Sequence, residues 1–304
     1  MELRHVRYFI AVAEYRNFSR AAEQLHIAQP PLSRQIRQLE DDLGVTLFVR
    51  NKRRVELTKA GHAFLEEGRK LIAQAAHAGE AARHAQKGET GFFRIGIASG
   101  LGGMVSKVVC EHRRLMPAID IECKDVFSTF QNEALHKGEI DVGFLRPPVD
   151  QVNLNCELIF EEEFEVVLPR THRLAKRKSL KLKDIADEPM IIFDRNFSSG
   201  LYDKILSLYS RAGFTPHITV THVEAHEEAG AIMIASGKAI FMGAGATVNR
   251  TVSGIDLVSV KLDEPDAKIE VYVAWRKGEE SSAIPPFLDS VRRVFGSHAH
   301  RQIA

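Results

Sequence analysis

The chain has 304 residues, 44% hydrophobic and 27% charged, with a formal net charge of +1. That length allows two domains with cores of their own, and the apolar content excludes a disordered or low-complexity chain. Its three cysteines, Cys110, Cys123 and Cys156, are too few and too far apart for a disulfide framework or a C-x-x-C metal site, so a reducing compartment is expected. The charge is uneven. Residues 1–88 carry fifteen Lys/Arg against ten Asp/Glu, and the rest carry twenty-six against thirty. A basic first segment on a mildly acidic body points to a polyanion partner for the first segment alone. The start, Met1-Glu2-Leu3-Arg4, is too charged for a signal peptide. Ala229–Val248 is mostly apolar, but Lys238 at its centre and four glycines make it a helix, turn and buried strand of a water-soluble core rather than a membrane span.

Residues 1–58 read as short helices and a hairpin. Leu3, Val6, Phe9, Ile10 and Ala13 recur at helical spacing. Ser19 is placed to cap a second helix, Arg20 to His26. Pro30-Pro31 opens a third, with Leu32, Ile36, Leu39 and Leu43 as its inward stripe and Gly44 as its stop. Val45–Val49 and Arg54–Leu57 alternate as two strands around the basic turn Arg50-Asn51-Lys52-Arg53. Thr58 then caps one long helix to about residue 88. On it Phe64, Gly68, Leu71, Ala75, Ala78, Ala82 and Ala85 follow 4-3-4-3 spacing, a seam for a partner helix. The alternative is a helix packed on its own domain.

From Phe92 the pattern alternates strand and helix. Phe93–Ala98, Ile119–Val126 and Ile140–Leu145 are predicted strands, with Met104–Leu115 and Thr129–His136 as helices between them. Phe164–Leu168, Met190–Phe193, Ile218–Val223 and Ala239–Met242 form a second strand set, with helices Leu201–Tyr209 and Glu227–Ile234. Leu257–Leu262 and Ile269–Trp275 return towards the first set, and Ile284–Phe295 is a closing helix. Two α/β lobes joined by crossing strands would leave a cleft.

The run from Phe18 to Glu40 is helix, tight turn, helix. A major groove admits one helix, whose N-terminal side chains reach base edges. Gln29, Pro30, Ser33 and Arg34 sit at that end of the third helix. Arg34 suits a guanine and Gln29 an adenine. Arg37 lies one turn later and suits phosphate, and Arg50, Lys52, Arg53 and Arg54 form a basic wing for backbone or minor groove. The competing reading is a structural three-helix module with a solvated polar face.

This segment resembles the DNA-binding domain of the LysR-type transcriptional regulators. The opening Met1 to Phe9 and the run Ala28-Gln29-Pro30-Pro31-Leu32-Ser33-Arg34-Gln35-Ile36 are similar to the branch that controls aromatic-compound degradation. The resemblance is dense over residues 1–65 and moderate beyond. It implies an N-terminal, all-α winged helix-turn-helix over 1–58 and a linker helix over 59–90 used for dimerisation. It implies a C-terminal α/β effector domain over 91–304, two-lobed like periplasmic binding proteins. Lobe I would take about 91–161 and 267–304, and lobe II about 162–266. It further implies homodimers or homotetramers, double-stranded DNA with interrupted palindromic promoter sites, contact with RNA polymerase, a small-molecule effector and no cofactor. One run departs from the family pattern, Ala235-Ser236-Gly237-Lys238-Ala239-Ile240-Phe241-Met242-Gly243, where a glycine and a proline are replaced and a lysine added.

Ligands of open parallel sheets bind beyond the carboxyl ends of the strands. Three loops leave such ends: Ser99-Gly100-Leu101-Gly102-Gly103, then Phe127-Ser128-Thr129, then Arg146-Pro147-Pro148. Ser128 and Gln131 are spaced as a capping box. Two helix N-termini, hydroxyls and the Arg146 fork would make an anion site for a carboxylate, an aromatic acid or ring-cleavage diacid. The family resemblance places effector contacts at Ser99, Gly100, Ser128 and Arg146. Phe197, Ser199, Leu201 and Tyr202 could close over the ligand from the other lobe, with Phe127 and Phe144 as apolar neighbours. Alternatively Ser128 only caps its helix and Arg146 pairs with a surface acid. The rival class is an α/β enzyme or dinucleotide-binding oxidoreductase, but Val105 replaces the last glycine of G-x-G-x-x-G. Neither a nucleophile elbow nor metal-ligand spacing stands out.

Overall fold

A computed structural model describes residues 1–304 apart from 51–54, 87–90, 193, 221–226, 246–247, 249–253, 279–280 and 297–304. The chain divides into a compact unit built on Met1–Gln86 and a second built on the residues that follow.

In the first unit, α1 (Leu3–Tyr15), α2 (Phe18–Gln24) and α3 (Gln29–Leu43) lead into β1 (Phe48–Arg50), β2 (Val55–Leu57) and the long α4 (Lys59–Gln86). Its core is Phe9, Val12, Ala21, Leu32, Ile36, Leu39, Leu47 and Phe48, with Phe64 packed against it. Each large apolar side chain buried this way stabilises the unit by about 1.5–3 kcal/mol. Leu3, expected in the α1 stripe, is exposed, and His5 is buried in its neighbourhood. The α2 cap is Asn17 rather than Ser19. Its side-chain oxygen accepts from Ser19 N at 2.9 Å and Arg20 N at 3.1 Å, because the helix starts two residues earlier than the pattern indicated. Gly44 ends α3 at φ +67°, where glycine carries no Cβ penalty. Thr58 caps α4 as expected, accepting Gly61 N at 2.9 Å. The first part of the predicted seam is used inside the unit. Phe64 lies 5.0 Å from the Phe9 ring, and Gly68 abuts Val6. Leu71, Ala78 and Ala82 are exposed and Ala75 is half-buried.

The second unit contains β3 (Gly91–Ile97), α5 (Gly102–Leu115), β4 (Ile119–Asp125), α6 (Ser128–His136), β5 (Val142–Leu145), β6 (Leu154–Pro169), β7 (Ser179–Leu180), β8 (Pro189–Ile191), α7 (Ser199–Arg211), β9 (His217–Val220), α8 (Glu227–Ala235), β10 (Ile240–Ala244), β11 (Leu257–Leu262), β12 (Lys268–Arg276) and α9 (Ile284–Phe295). The strand order is β4-β3-β5-β12-β6-β10-β8-β9, with β11 also on β6 and β7 on β11. β3 runs parallel to β4 and β5, and β12 returns antiparallel between β5 and β6. Lobe I closes around Phe93, Ile95, Val105, Phe144, Val273, Phe287 and Val291. Lobe II closes around Phe164, Val166, Leu168, Met190, Ile205, Tyr209 and Met242 on one sheet face, and Val167, Ile191, Ile234 and Phe241 on the other. Alternate β6 side chains enter these two cores, as the strand period of two requires.

The strand β6 was legible only in its second half. Its sixteen residues serve both lobes: Leu154–Glu163 pair with β12, and Phe164–Pro169 pair with β10 and β11. Predicted extensions over Phe193 and past Val220 fall outside the described residues. Among the described residues no helix is long and apolar enough to cross a membrane. The Ala229–Val248 run resolves into α8, an exposed Lys238 after Gly237 at φ +74°, and the buried strand β10.

Candidate nucleic-acid interface and interlobe site

The helix α3 presents two chemically opposite faces. Leu32, Ile36 and Leu39 are 0% exposed, while Gln29, Pro30, Arg34, Arg37 and Gln38 are exposed and Ser33 is half-buried. Among the described residues neither Arg34 nor Arg37 has an ion-pair or hydrogen-bond partner for its guanidinium. Gln38 donates to Asp42 at 2.8 Å along the helix. Gln35 is taken inward, its Oε1 2.8 Å from His5 Nε2, so α1 helps to orient α3. The turn before α3 is closed by the Ile27 N–H on the Ala22 carbonyl at 3.0 Å, with His26 at φ +52°. β1 and β2 pair antiparallel over Phe48–Arg50 and Val55–Leu57, so a two-stranded wing follows the two helices. Arg53, expected on its tip, lies outside the described residues, as do Lys52 and Arg54. Arg50 ends β1.

In the second unit the loops after β3, β4 and β5 are gathered at one end of the lobe I sheet and face the start of α7. The Phe127 and Phe197 rings lie 4.7 Å apart, the Ser199 N–H meets Thr129 Oγ1 at 3.3 Å, and Gly200 stands against the Pro147 carbonyl so closely that a Cβ there has no room. The Pro147–Pro148 bond is cis. These contacts join residues of lobe I to residues of lobe II.

Several expected roles change here. Arg146 is 2% exposed and its fork is already engaged. Its Nε donates to Glu162 Oε2 at 2.7 Å, and its Nη1 donates to the Ser99 carbonyl at 2.9 Å. The acid that pairs with it is thus buried on β6, not on the surface. Ser128 and Gln131 do not form a capping box. Ser128 Oγ accepts the Arg146 N–H at 3.1 Å, and Gln131 Nε2 donates to the Val126 and Phe144 carbonyls at 2.8 and 2.9 Å. Those carbonyls belong to strand ends that only the folded sheet brings together. Leu101 and Phe144 turn into the lobe I core and Leu201 into the lobe II core, while Tyr202 packs at the margin of the latter. Gly100 adopts φ +82°, and no side chain would obstruct Gly102 or Gly103. The Thr129 hydroxyl is the one that meets the other lobe, where it accepts the Ser199 backbone N–H. No group of three or more potential metal ligands occurs among the described residues.

Residues 3–62 match the family described as "Bacterial regulatory helix-turn-helix protein, lysR family", and residues 86–296 match "LysR substrate binding domain". The chain belongs to the LysR family of transcriptional regulators. It is 35% identical over 289 residues to the regulator AlsR of Bacillus subtilis (strain 168), covering 95% of this chain and 94% of AlsR. It is 31% identical over 298 residues to BenM of Acinetobacter baylyi (strain ATCC 33305 / BD413 / ADP1), covering 97% and 96%. Overall identity therefore does not single out one branch. The crystal structure of full-length CbnR complexed with its target DNA is similar at 28% identity and a TM-score of 0.70, covering 97% of this chain and 100% of CbnR. In this family the N-terminal unit binds DNA and the second unit is an effector-binding domain, so the enzyme reading is set aside.

Proposed function

We propose that this chain acts in the cytoplasm as an effector-responsive regulator that reads an interrupted palindromic promoter site as a homodimer or homotetramer and contacts RNA polymerase there. Gln29, Ser33 and Arg34, with the helix start at Pro30, meet base edges. Arg37, Arg50 and Arg53 hold backbone or minor groove. The supporting observation is the pair of exposed, unengaged arginines on α3, opposite a fully buried stripe. Leu71, Ala75, Ala78 and Ala82 on α4 pair the subunits, because the exposed small residues let a second helix come close. Phe64 supports that surface from inside the unit.

The effector is a small carboxylate, an aromatic acid or ring-cleavage diacid, held between the lobes. Because Glu162 occupies the Arg146 fork, carboxylate recognition passes to Ser128, Thr129 and Ser199 and to helix N-terminal N–H groups, around the Ser99-Gly100-Leu101 turn. Phe127, Phe197 and Tyr202 supply apolar surface. Titration calorimetry with a panel of aromatic and dicarboxylic acids tests this. Carboxylate binding that Thr129→Ala weakens supports it, and a protein that binds neutral amines in place of acids rejects it. For the DNA interface, Arg34→Ala should lose about 1–3 kcal/mol of discrimination between duplexes. Arg37→Ala should weaken all duplexes alike and make the salt dependence shallower. Sequence preference that survives Arg34→Ala refutes the assignment.

A further inference from the structure

The peptide of Leu47 joins three elements of the N-terminal unit. Glu40, in the last turn of α3, accepts the N–H groups of Leu47 at 2.8 Å and Phe48 at 3.1 Å through its Oε1. From the opposite side the Leu47 carbonyl accepts the Thr58 N–H at 3.0 Å. The Thr58 hydroxyl donates to the Thr46 carbonyl at 2.7 Å. Gly61, in the first turn of α4, could carry no Cβ, because the Leu47 carbonyl stands there.

We propose that Glu40 is a positioning residue for DNA recognition: it fixes the β1–β2 wing at a set angle to α3, so that the wing meets the duplex backbone in register with the bases that α3 reads. This rests on the reading of the wing as a DNA contact. The hairpin cannot fix its own position. It has three residue pairs, and an isolated two-stranded hairpin is marginal in water. The link from α3 to β1 is Gly44 at φ +67° followed by the exposed Val45 and Thr46. The Phe48 ring does pack on Phe9 and Phe18, at 5.1 and 5.9 Å. Ring contacts hold a strand down but leave it free to slide, whereas two N–H groups on one carboxylate oxygen set its register. Leu47 and Phe48 are at most 2% exposed, so water cannot replace the lost acceptor. The α4 start grips the same peptide, so one short segment sets the wing against both the recognition helix and the linker helix.

The test uses the full-length protein and a duplex that the wild type selects from a random library, with affinity read across a salt series. Glu40→Gln keeps an acceptor oxygen and should bind within about two-fold of wild type. Glu40→Ala should bind about ten-fold more weakly, with a salt slope shallower by about one per lost phosphate contact and an unchanged base preference. Thermal melting establishes that each variant is folded at the assay temperature. If the alanine variant is not, Gly61→Ala displaces the same peptide from the α4 side and should give the same slope change. A wild-type slope in the folded alanine variant, or a glutamine variant as weak as alanine, overturns the proposal. The double variant Arg50→Ala/Arg53→Ala separates the two layers. An unchanged slope there removes the wing from the interface and the proposal with it. A reduced slope there beside an unchanged one in Glu40→Ala refutes the role of Glu40 alone.

Discussion

Asp141→Ala should destabilise lobe I by about 3–5 kcal/mol, the usual cost of removing one partner from a buried ion pair. The Asp141 carboxylate is 3% exposed and accepts Arg94 N at 2.9 Å, Arg94 Nε at 3.1 Å and Arg276 Nη2 at 2.8 Å. Arg94 is itself buried in β3, so alanine takes from a buried guanidinium the carboxylate that accepts its Nε and Nη2. Arg276 suffers less, since its Nη1 also donates to the Leu135 and Ile140 carbonyls at 3.0 and 2.8 Å. At roughly 2–4 °C per kcal/mol for a domain of this size, the melting point should fall by about 10 °C. Trp275 is the chain's one tryptophan and neighbours Arg276 on β12, so its fluorescence during urea denaturation reports on this lobe. Burial pushes the Asp141 pKa up, but the hydrogen bonds from Arg94 and Arg276 outweigh it and hold the carboxyl below its ordinary value. A depressed acid contributes stability above its unfolded pKa and loses it as pH falls through the folded one. The gap between wild type and variant should therefore stay constant from about pH 8 to 5 and close only below about pH 4. A loss under about 1 kcal/mol, or a gap that already narrows between pH 8 and 6, refutes the reasoning.

Other expectations follow from single contacts. His112 is buried between Phe93 and Phe287, with Nδ1 3.1 Å from Ser290 Oγ and no partner for Nε2 among the described residues. Burial lowers its pKa, so stability should be complete above about pH 6.5 and decline below it, and melting at pH 7.5 and 5.5 should show less pH dependence in His112→Gln. Equal dependence in both proteins contradicts this. Gly200→Ala drives a Cβ into the Pro147 carbonyl and should cost about 1–3 kcal/mol or part the lobes, seen as faster hydrogen exchange at the start of α7. Unchanged exchange and stability would show that the contact is slack. Leu71→Arg should shift the protein towards monomer in sedimentation analysis, and an unaltered assembly removes the α4 seam from the interface.

Much of the architecture was legible because helices and strands write their periods into the chain. The Leu32, Ile36, Leu39 stripe named α3 and its outward face, and β11 and α9 match their expected bounds. What failed was partner choice. Ser19 and Asn17 are both good caps, and the helix start two residues upstream selected Asn17. The first half of β6 alternates only from Leu154 to Leu158 and then runs through Ile159-Phe160 into three glutamates, Glu161–Glu163, so its period is broken; pairing with β12 makes it a strand.

The site divides along the same line. Local sequence determined which residues stand at the start of α3, at the glycine turn after β3 and at the loops after β4 and β5, because periodicity and backbone preference act within a few residues. Only the tertiary structure decided that Arg146 is answered by Glu162, that Gln131 spans two strand ends, and that Phe64 and Gly68 face α1. Each of those outcomes depends on a buried group finding its partner across sheet register or helix packing. A polar or apolar face is inscribed in the order of residues, but the atom that meets it is chosen by the fold.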